Sequence, residues 1–307
     1  MKYIRCCTTC EARKNPSRAA RGKLGQYLVG EPLERVAIDI LGPLPRTEKG
    51  NKYIVIISDY FTRWIEAYPV KNQEAITIAK VFTEEFISRY GVPLQVHTDQ
   101  GRQFESTFFQ DLCKMLRIEK TRTTPYNTKS DGLVERFNRT LVDMISKYVQ
   151  PNQKNWDEVL PLVMLAYRSS VHQTTGYSPA KLNLGRELKL PVDLVYGHHP
   201  GEDQLYENYH DFVEKMKTNI GVIHEKARQK LIEVNENQKR KYDTNTNQKQ
   251  YTPGQHVWIA SKARTKGRSP KLQNHWTGPY IVQGAVSDLV YKVKRSKTEK
   301  PKYIHHE

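Results

Sequence analysis

Long apolar runs are missing from this sequence. The longest candidate covers residues 159–167, well short of the roughly 20 residues that a bilayer-spanning helix requires, so no transmembrane helix is expected. Cysteine is scarce, with four in 307 residues, which excludes a disulfide framework. The start, Met1-Lys2-Tyr3-Ile4-Arg5-Cys6, lacks an apolar stretch of signal-peptide length, and with so few cysteines it leads us to expect a reducing, intracellular setting. Internal repeats and low-complexity blocks are also lacking. An acidic excess is absent too: 49 Lys+Arg stand against 33 Asp+Glu, a formal charge of +16, which favours a polyanionic partner. What is present is 37% hydrophobic and 10% aromatic residues, enough for at least one core in a chain whose length implies about two domains.

The charge is unevenly spread. Residues 1–34 carry 7 basic and 3 acidic side chains, residues 35–206 carry 22 and 20, and residues 207–307 carry 20 and 10. A near-neutral middle between basic ends suggests a central domain whose site needs carboxylates, with polyanion binding delegated to the flanks. A solvated basic surface is the bland alternative.

Residues 11–32, with Asn15-Pro16-Ser17, Gly22, Gly25 and Gly30-Glu31-Pro32, read as a linker, so a domain should begin near Leu33. The β-rich stretches 35–40 and 53–58 predict two core strands, 61–70 a hairpin partner, and 94–99 a further strand. Helices are expected over 74–90, ending at Gly91, and over 105–116, 131–148 and 156–169, with an extended segment at 118–124. Strands followed by mixed strands and helices indicate an α/β domain with a mixed sheet. Beyond Pro191, apolar residues at alternating steps of three and four predict a long amphipathic helix over 205–242, able to link domains or pair with a partner. Gly221 costs such a helix about 1 kcal/mol relative to Ala and could mark a break. The short β-runs 257–259, 280–282 and 289–293 suggest a small barrel.

Asp39 closes the first strand and Asp99 the strand after Val96-His97-Thr98, while Glu135 falls off the apolar stripe of Val134, Phe137, Leu141, Ile145 and Tyr148, beside Asn138 and Arg139. Such a helix could present Glu135 to the strand ends. Converging carboxylates repel one another unless divalent cations neutralise them, and an oxygen-only ligand set suits Mg²⁺ or Mn²⁺.

Spacing alone is weak, but the words around these acids are specific. His97-Thr98-Asp99-Gln100-Gly101-Arg102-Gln103-Phe104 and Asp131-Gly132-Leu133-Val134-Glu135-Arg136-Phe137-Asn138-Arg139, with 35 residues between Asp99 and Glu135, resemble the catalytic core of retroviral and gypsy-type retrotransposon integrases. The likeness extends to Thr123-Thr124-Pro125-Tyr126, to Thr175-Gly176-Tyr177-Ser178-Pro179, and to Trp276-Thr277-Gly278-Pro279-Tyr280, which looks like that family's carboxy-terminal GPY module. The resemblance implies a ribonuclease H-like α/β core followed by a long helix and a small all-β SH3-like or chromo-like barrel. We therefore expect a remnant of a zinc-binding domain and basic linker over 1–32, the core over 33–195, a helical linker over 196–246 and the β module over 247–307. It further implies that Asp39, Asp99 and Glu135 are catalytic metal ligands. Two divalent ions about 3.5–4 Å apart would serve an in-line displacement at phosphorus, first trimming a 3′ end and then joining it to target DNA. Lys129 departs from the family's usual Gln, and Thr128 from its usual Pro. Lys129 remains a candidate phosphate contact, and Asn138 and Arg139 are candidate donor-DNA contacts, although a solvated helix charge explains Arg139 equally well.

Cys7 and Cys10 form a CxxC pair that in the family belongs to a His2Cys2 zinc domain. Because the first histidine here is His97, the pair supplies only half of a four-ligand Zn²⁺ site. Lys262, Arg264, Lys266 and Arg268 recur every second residue, so in an extended segment they form one cationic row suited to a phosphate backbone; a flexible basic loop is the alternative. The expected partners are double-stranded DNA, a second copy of the chain, and chromatin, with no membrane, and the expected location is the nucleus after cytoplasmic assembly. Two other functions compete with DNA integration: a domesticated or truncated relative that binds DNA or chromatin without catalysis, and a ribonuclease H-type hydrolase.

Overall fold

The computed structural model describes residues 7, 12–13, 29–123, 132–196, 209–244, 250–260, 274, 276–287, 290–296 and 299–305, and the side chains of residues 133–135 lie outside that description. The described residues fall into two compact units. One holds 29–123, 132–196 and 209–237, and the other holds 7, 12–13 and the described residues from 238 onward.

The first unit is built on β1 (Arg35–Leu41), β2 (Tyr53–Asp59), β3 (Ile65–Val70), β4 (Gln95–Thr98) and β5 (Glu119–Arg122), in the order β3-β2-β1-β4-β5. β1 to β3 pair antiparallel, whereas β1–β4 and β4–β5 are parallel. β2, with the sequence Tyr-Ile-Val-Ile-Ile-Ser-Asp, is buried on both faces. Its Val55 and Ile57 point into one core and its Ile54 and Ile56 into the other, as the two-residue period of a strand requires. Helices therefore cover both sides. On one side lie α1 (75–90), with an α-helical start at Ala75–Lys80, a π-helical middle at Val81–Ile87 and a last turn at Ser88–Tyr90, then α2 (Arg102–Glu105) and α3 (Thr107–Met115). They contribute Ile78, Phe82, Phe86, Phe104 and Phe109. On the other side lie α4 (Gly132–Ser146) and α5 (Trp156–Ser169), which contribute Phe137, Leu141, Ile145, Leu160 and Val163. Tyr148, expected on the buried stripe of α4, lies beyond the helix and is exposed. The expected ribonuclease H-like mixed sheet is the architecture observed.

Short helices α6 (Pro179–Leu184) and α7 (Pro191–Tyr196) follow, then the 35-residue α8 (Tyr209–Asp243). The sequence suggested a linker over 196–246 and a break at Gly221. Instead α8 runs unbroken, and its 216–231 stretch packs onto the core. Ala227 and Leu231 bury with Phe61 and Leu182, His224 Nε2 lies 2.7 Å from the Leu182 carbonyl, and the Arg228 guanidinium donates twice to the Gly30 carbonyl at 3.1 and 2.9 Å. The core thus extends into what was read as a connector, because this face of α8 has an apolar and hydrogen-bonding partner within the same unit.

The second unit contains a four-stranded antiparallel sheet, β6 (His256–Ala260), β7 (Trp276–Ser287), β8 (Val290–Lys294) and β9 (Lys302–His305). Tyr280, Val282, Tyr291 and Val293 form its small core. A Cβ on Gly278 would meet the Trp258 indole at 2.9 Å, so the motif's glycine is what lets that ring lie against the strand. The Trp276 N–H donates to the Ala12 carbonyl at 3.0 Å. β9 was not foreseen from the sequence.

Candidate active site at the ends of β1 and β4

Parallel pairing sets Ala37 against His97 and Ile38 against Thr98. One step further along both strands come Asp39 and Asp99, so the two carboxylates sit on adjacent strands, which run roughly 4.8 Å apart. Val36 and Ile38 point into the α1 core, and alternation turns Asp39 to the opposite face, towards α4. There the Asn138 Nδ2 donates to Asp39 Oδ2 at 2.5 Å. Phe137 and Leu141, buried against β2, hold that helix down and fix the Asn138 position.

Asp99 is exposed, and its Oδ1 accepts the Gly101 N–H at 2.8 Å. The adjacent Gln100 Nε2 donates to the Thr123 carbonyl at 2.7 Å, tying the exit of β4 to the exit of β5. Glu105 receives Lys120 Nζ and Arg122 Nη1, both at 2.7 Å, and Lys120 with Arg122 holds its carboxyl below the usual carboxylate range. These contacts fix the strand from which the chain departs towards α4. His97 is buried with Nδ1 2.9 Å from Thr121 Oγ1, a bond between β4 and β5.

Glu135 belongs to helical backbone three residues before Asn138, which places it one turn from the Asn138–Asp39 bond and on the same helix face. Its side chain lies outside the described residues. Asn138, read from the sequence as a DNA contact, bonds to Asp39 and is half-buried, whereas its neighbour Arg139 is exposed. Lys129, Cys10, Lys262, Arg264, Lys266 and Arg268 lie outside the described residues, and Cys7 is half-buried. Sequence reasoning missed Gln100, whose position beside Asp99 was a usable signal, and the three carboxylates that serve the fold. Asp59 accepts Leu33 N–H, Thr62 N–H and Thr62 Oγ1–H. Glu66 takes Trp64 Nε1–H, Tyr90 O–H and Arg168. Asp157 takes Thr47 and Asn51.

The Asp39–Asp99 centre suits a hard divalent cation. Its donors are carboxylate oxygens, and beside them Asn138 Oδ1 is buried and, among the described residues, has no hydrogen-bond donor. An unsatisfied buried oxygen next to two acids fits a positively charged neighbour.

A mixed five-stranded sheet in the order β3-β2-β1-β4-β5, covered on both faces by helices, with Asp39 inside β1 two residues before its end and Asp99 just past β4, makes up a ribonuclease H-like core. Residues 30–128 match the family described as Integrase core domain, and the chain has homologues among retrotransposon and retroviral Pol polyproteins. It is similar to the retrovirus-related Pol polyprotein from transposon 412 of Drosophila melanogaster, 30% identical over 250 residues that make up 81% of this chain and 20% of the relative. It is also similar to the Pro-Pol polyprotein of Simian foamy virus type 3, 30% identical over 191 residues, 62% of this chain and 16% of the relative. The chain therefore spans about a fifth or less of these relatives. Among solved structures, the simian T-cell lymphotropic virus intasome in complex with a PP2A regulatory subunit shares the fold, with a TM-score of 0.57 and 18% identity over 99% of this chain and 86% of that one.

Proposed function

We propose that this chain is a divalent-metal-dependent polynucleotidyl transferase that trims the 3′ ends of element DNA and joins them to target DNA, with Asp39, Asp99 and Glu135 as its carboxylates. The observation that carries the reading is the β1–β4 register, which brings Asp39 and Asp99 together under the helix that holds Glu135. Mg²⁺ or Mn²⁺ held by these residues would supply activation of the attacking oxygen and charge neutralisation at the leaving oxygen. The rest is positioning. Asn138 orients the Asp39 carboxylate, the Gly101 N–H orients that of Asp99, and Gln100 keeps the two strand exits in register. In the joining step a 3′-hydroxyl oxygen forms a bond to phosphorus as one P–O bond of the target breaks. One phosphodiester replaces another, so no covalent protein intermediate is required.

Lys129, Arg139, Lys262, Arg264, Lys266 and Arg268 are proposed to bind DNA phosphates in this reading. A second copy of the chain and chromatin are the proposed partners, and the nucleus is the site of action. Cys7 and Cys10 would contribute to a Zn²⁺ site only if two further ligands joined them. The test is to incubate the purified chain with Mg²⁺ or Mn²⁺, a labelled duplex carrying candidate element ends and a plasmid, beside Asp99→Asn. Joined product made by the wild type and not by the variant supports the reading. DNA binding without joining supports a domesticated protein, and cleavage of RNA in a hybrid duplex supports a ribonuclease H-type hydrolase.

A further inference from the structure

The parallel ladder between β4 and β5 ends where a side chain takes over from the backbone. Its last paired residues are Thr98 and Arg122, and one more rung follows, from the Thr123 N–H to the Thr98 carbonyl at 3.1 Å. In a parallel pair the next rung would run from the backbone N–H of Gln100 to the Thr123 carbonyl. That carbonyl is taken instead by the Gln100 side chain, whose Nε2 donates to it at 2.7 Å. Thr123 is buried, so its backbone groups need partners. The amide supplies one without keeping its own backbone in the sheet.

The consequence falls on Asp99, which lies between the two residues that hold Thr123. Past the ladder the backbone bends at Gln100 and enters α2 at Arg102. In that bend the Gly101 N–H donates to Asp99 Oδ1 at 2.8 Å, and the Thr98 hydroxyl donates to the Asp99 carbonyl at 2.9 Å. The carboxylate lies so close over the bend that a Cβ on Gly101 would meet Oδ1 at 2.9 Å. Its direction is therefore set by the backbone of residues 99–101, and that backbone is free to bend because the ladder stops at Thr123. Without the Gln100 amide, the Thr123 carbonyl would draw the Gln100 backbone N–H into the missing rung. Such a rung straightens residues 99–101 and parts the Gly101 N–H from Asp99.

We propose that Gln100 is a positioning residue for the cation centre: its amide ends the β4–β5 ladder one rung early and so orients the Asp99 carboxylate for metal binding. The proposal rests on the reading of Asp39 and Asp99 as metal ligands given above and deepens it by one residue. The amide nitrogen is spent on Thr123, so Gln100 acts through Asp99.

The test compares Gln100→Met, which keeps the length of the side chain and loses the donor, with the wild type. Gln100 is exposed, so the substitution leaves the core untouched. Lys114→Met, which removes an exposed ion pair with Asp111 on α3, is the control. Manganese titrations followed by electron paramagnetic resonance give the affinity, proton–nitrogen NMR spectra of the metal-free chain follow the Gly101 amide, and melting curves report stability. The expected result is that Gln100→Met binds manganese about 10-fold more weakly, its Gly101 amide proton moves upfield as the bond to Asp99 is lost, and its melting temperature stays at the wild-type value. The control should leave all three unchanged. A manganese affinity or a Gly101 amide that stays at the wild-type value would overturn the role, as would a melting temperature that falls in step with the affinity or an equal loss in the control. A wild-type chain that binds no manganese would remove the centre and this role with it. No DNA is present in these measurements, so they separate from strand joining. The predicted changes without joined product would sink the transferase reading alone, and joined product with an unmoved Gly101 amide would sink the role of Gln100 alone.

Discussion

The β1–β2 pair carries an aspartate near each of its two ends, and the fold treats them in opposite ways. Val36 faces Asp59 and, three residues on, Asp39 faces Ile56. Asp59 is buried and receives three donors from Leu33 and Thr62, so its oxygens are used up in closing a turn; burial still pushes its carboxyl up. Asp39 is half-buried beside an Asn138 whose own oxygen lacks a donor among the described residues, and its strand neighbour Asp99 is exposed. The lesson is that the donors around a carboxylate, more than its burial, separate an acid that builds the fold from one available for chemistry.

The comparison breaks most visibly under mutation. Asp39→Asn or Asp99→Asn should lower strand joining by a thousandfold or more, on the order of 4 kcal/mol of transition-state stabilisation, with thermal stability retained. Rate assays beside a melting curve decide it, and chelation of the divalent ion should reproduce the loss. Asp59→Ala should do the opposite. It strands the buried Thr62 N–H and hydroxyl and the partly buried Leu33 N–H, which predicts a loss of roughly 2–4 kcal/mol in denaturant titrations, with joining per folded molecule preserved at low temperature.

Asn138→Ala sharpens the contrast from within the site. Groups that orient a metal-binding side chain are typically worth about 10-fold to 100-fold, so joining should fall by that amount with little change in stability. The last effect concerns pH and touches stability alone. His172 has a folded pKa near 4 against 6.5 unfolded, so between these values the unfolded chain binds more protons. The stability is complete above pH 6.5 and is lost as pH falls towards 4, by about 2–3 kcal/mol. His172→Gln should flatten that part of the stability–pH curve in DNA-free protein, and a curve that keeps its full slope would discount the burial and the Arg63 charge that hold His172 down.

Much of the core was legible because its periodicities are strong. The β-branched run of β2 and the apolar faces of α4 and α5 announce themselves, and the motif words point to Asp39, Asp99 and Glu135. What could not be read is whatever depends on distant partners. Asp157 finds Thr47 and Asn51 more than a hundred positions away, and Arg63 meets Tyr167 and His172 across a comparable gap. The role of Asn138 was within reach, since it lies three residues from Glu135 on one helix face, yet its polarity suggested solvent and DNA. The helical pattern of α8 was visible, but periodicity does not say what an apolar face will cover. Gly221 leaves the helix intact, with nothing crowding its position.

The central claim is that Asp39 and Asp99 form one cation-binding centre. Manganese binding followed by electron paramagnetic resonance on the wild type, Asp39→Asn, Asp99→Asn and the double variant tests it most directly. If the claim holds, each single substitution removes about as much bound manganese as both together, because one centre is lost either way. Two single variants that each keep a separate share, with losses that add in the double variant, would contradict it.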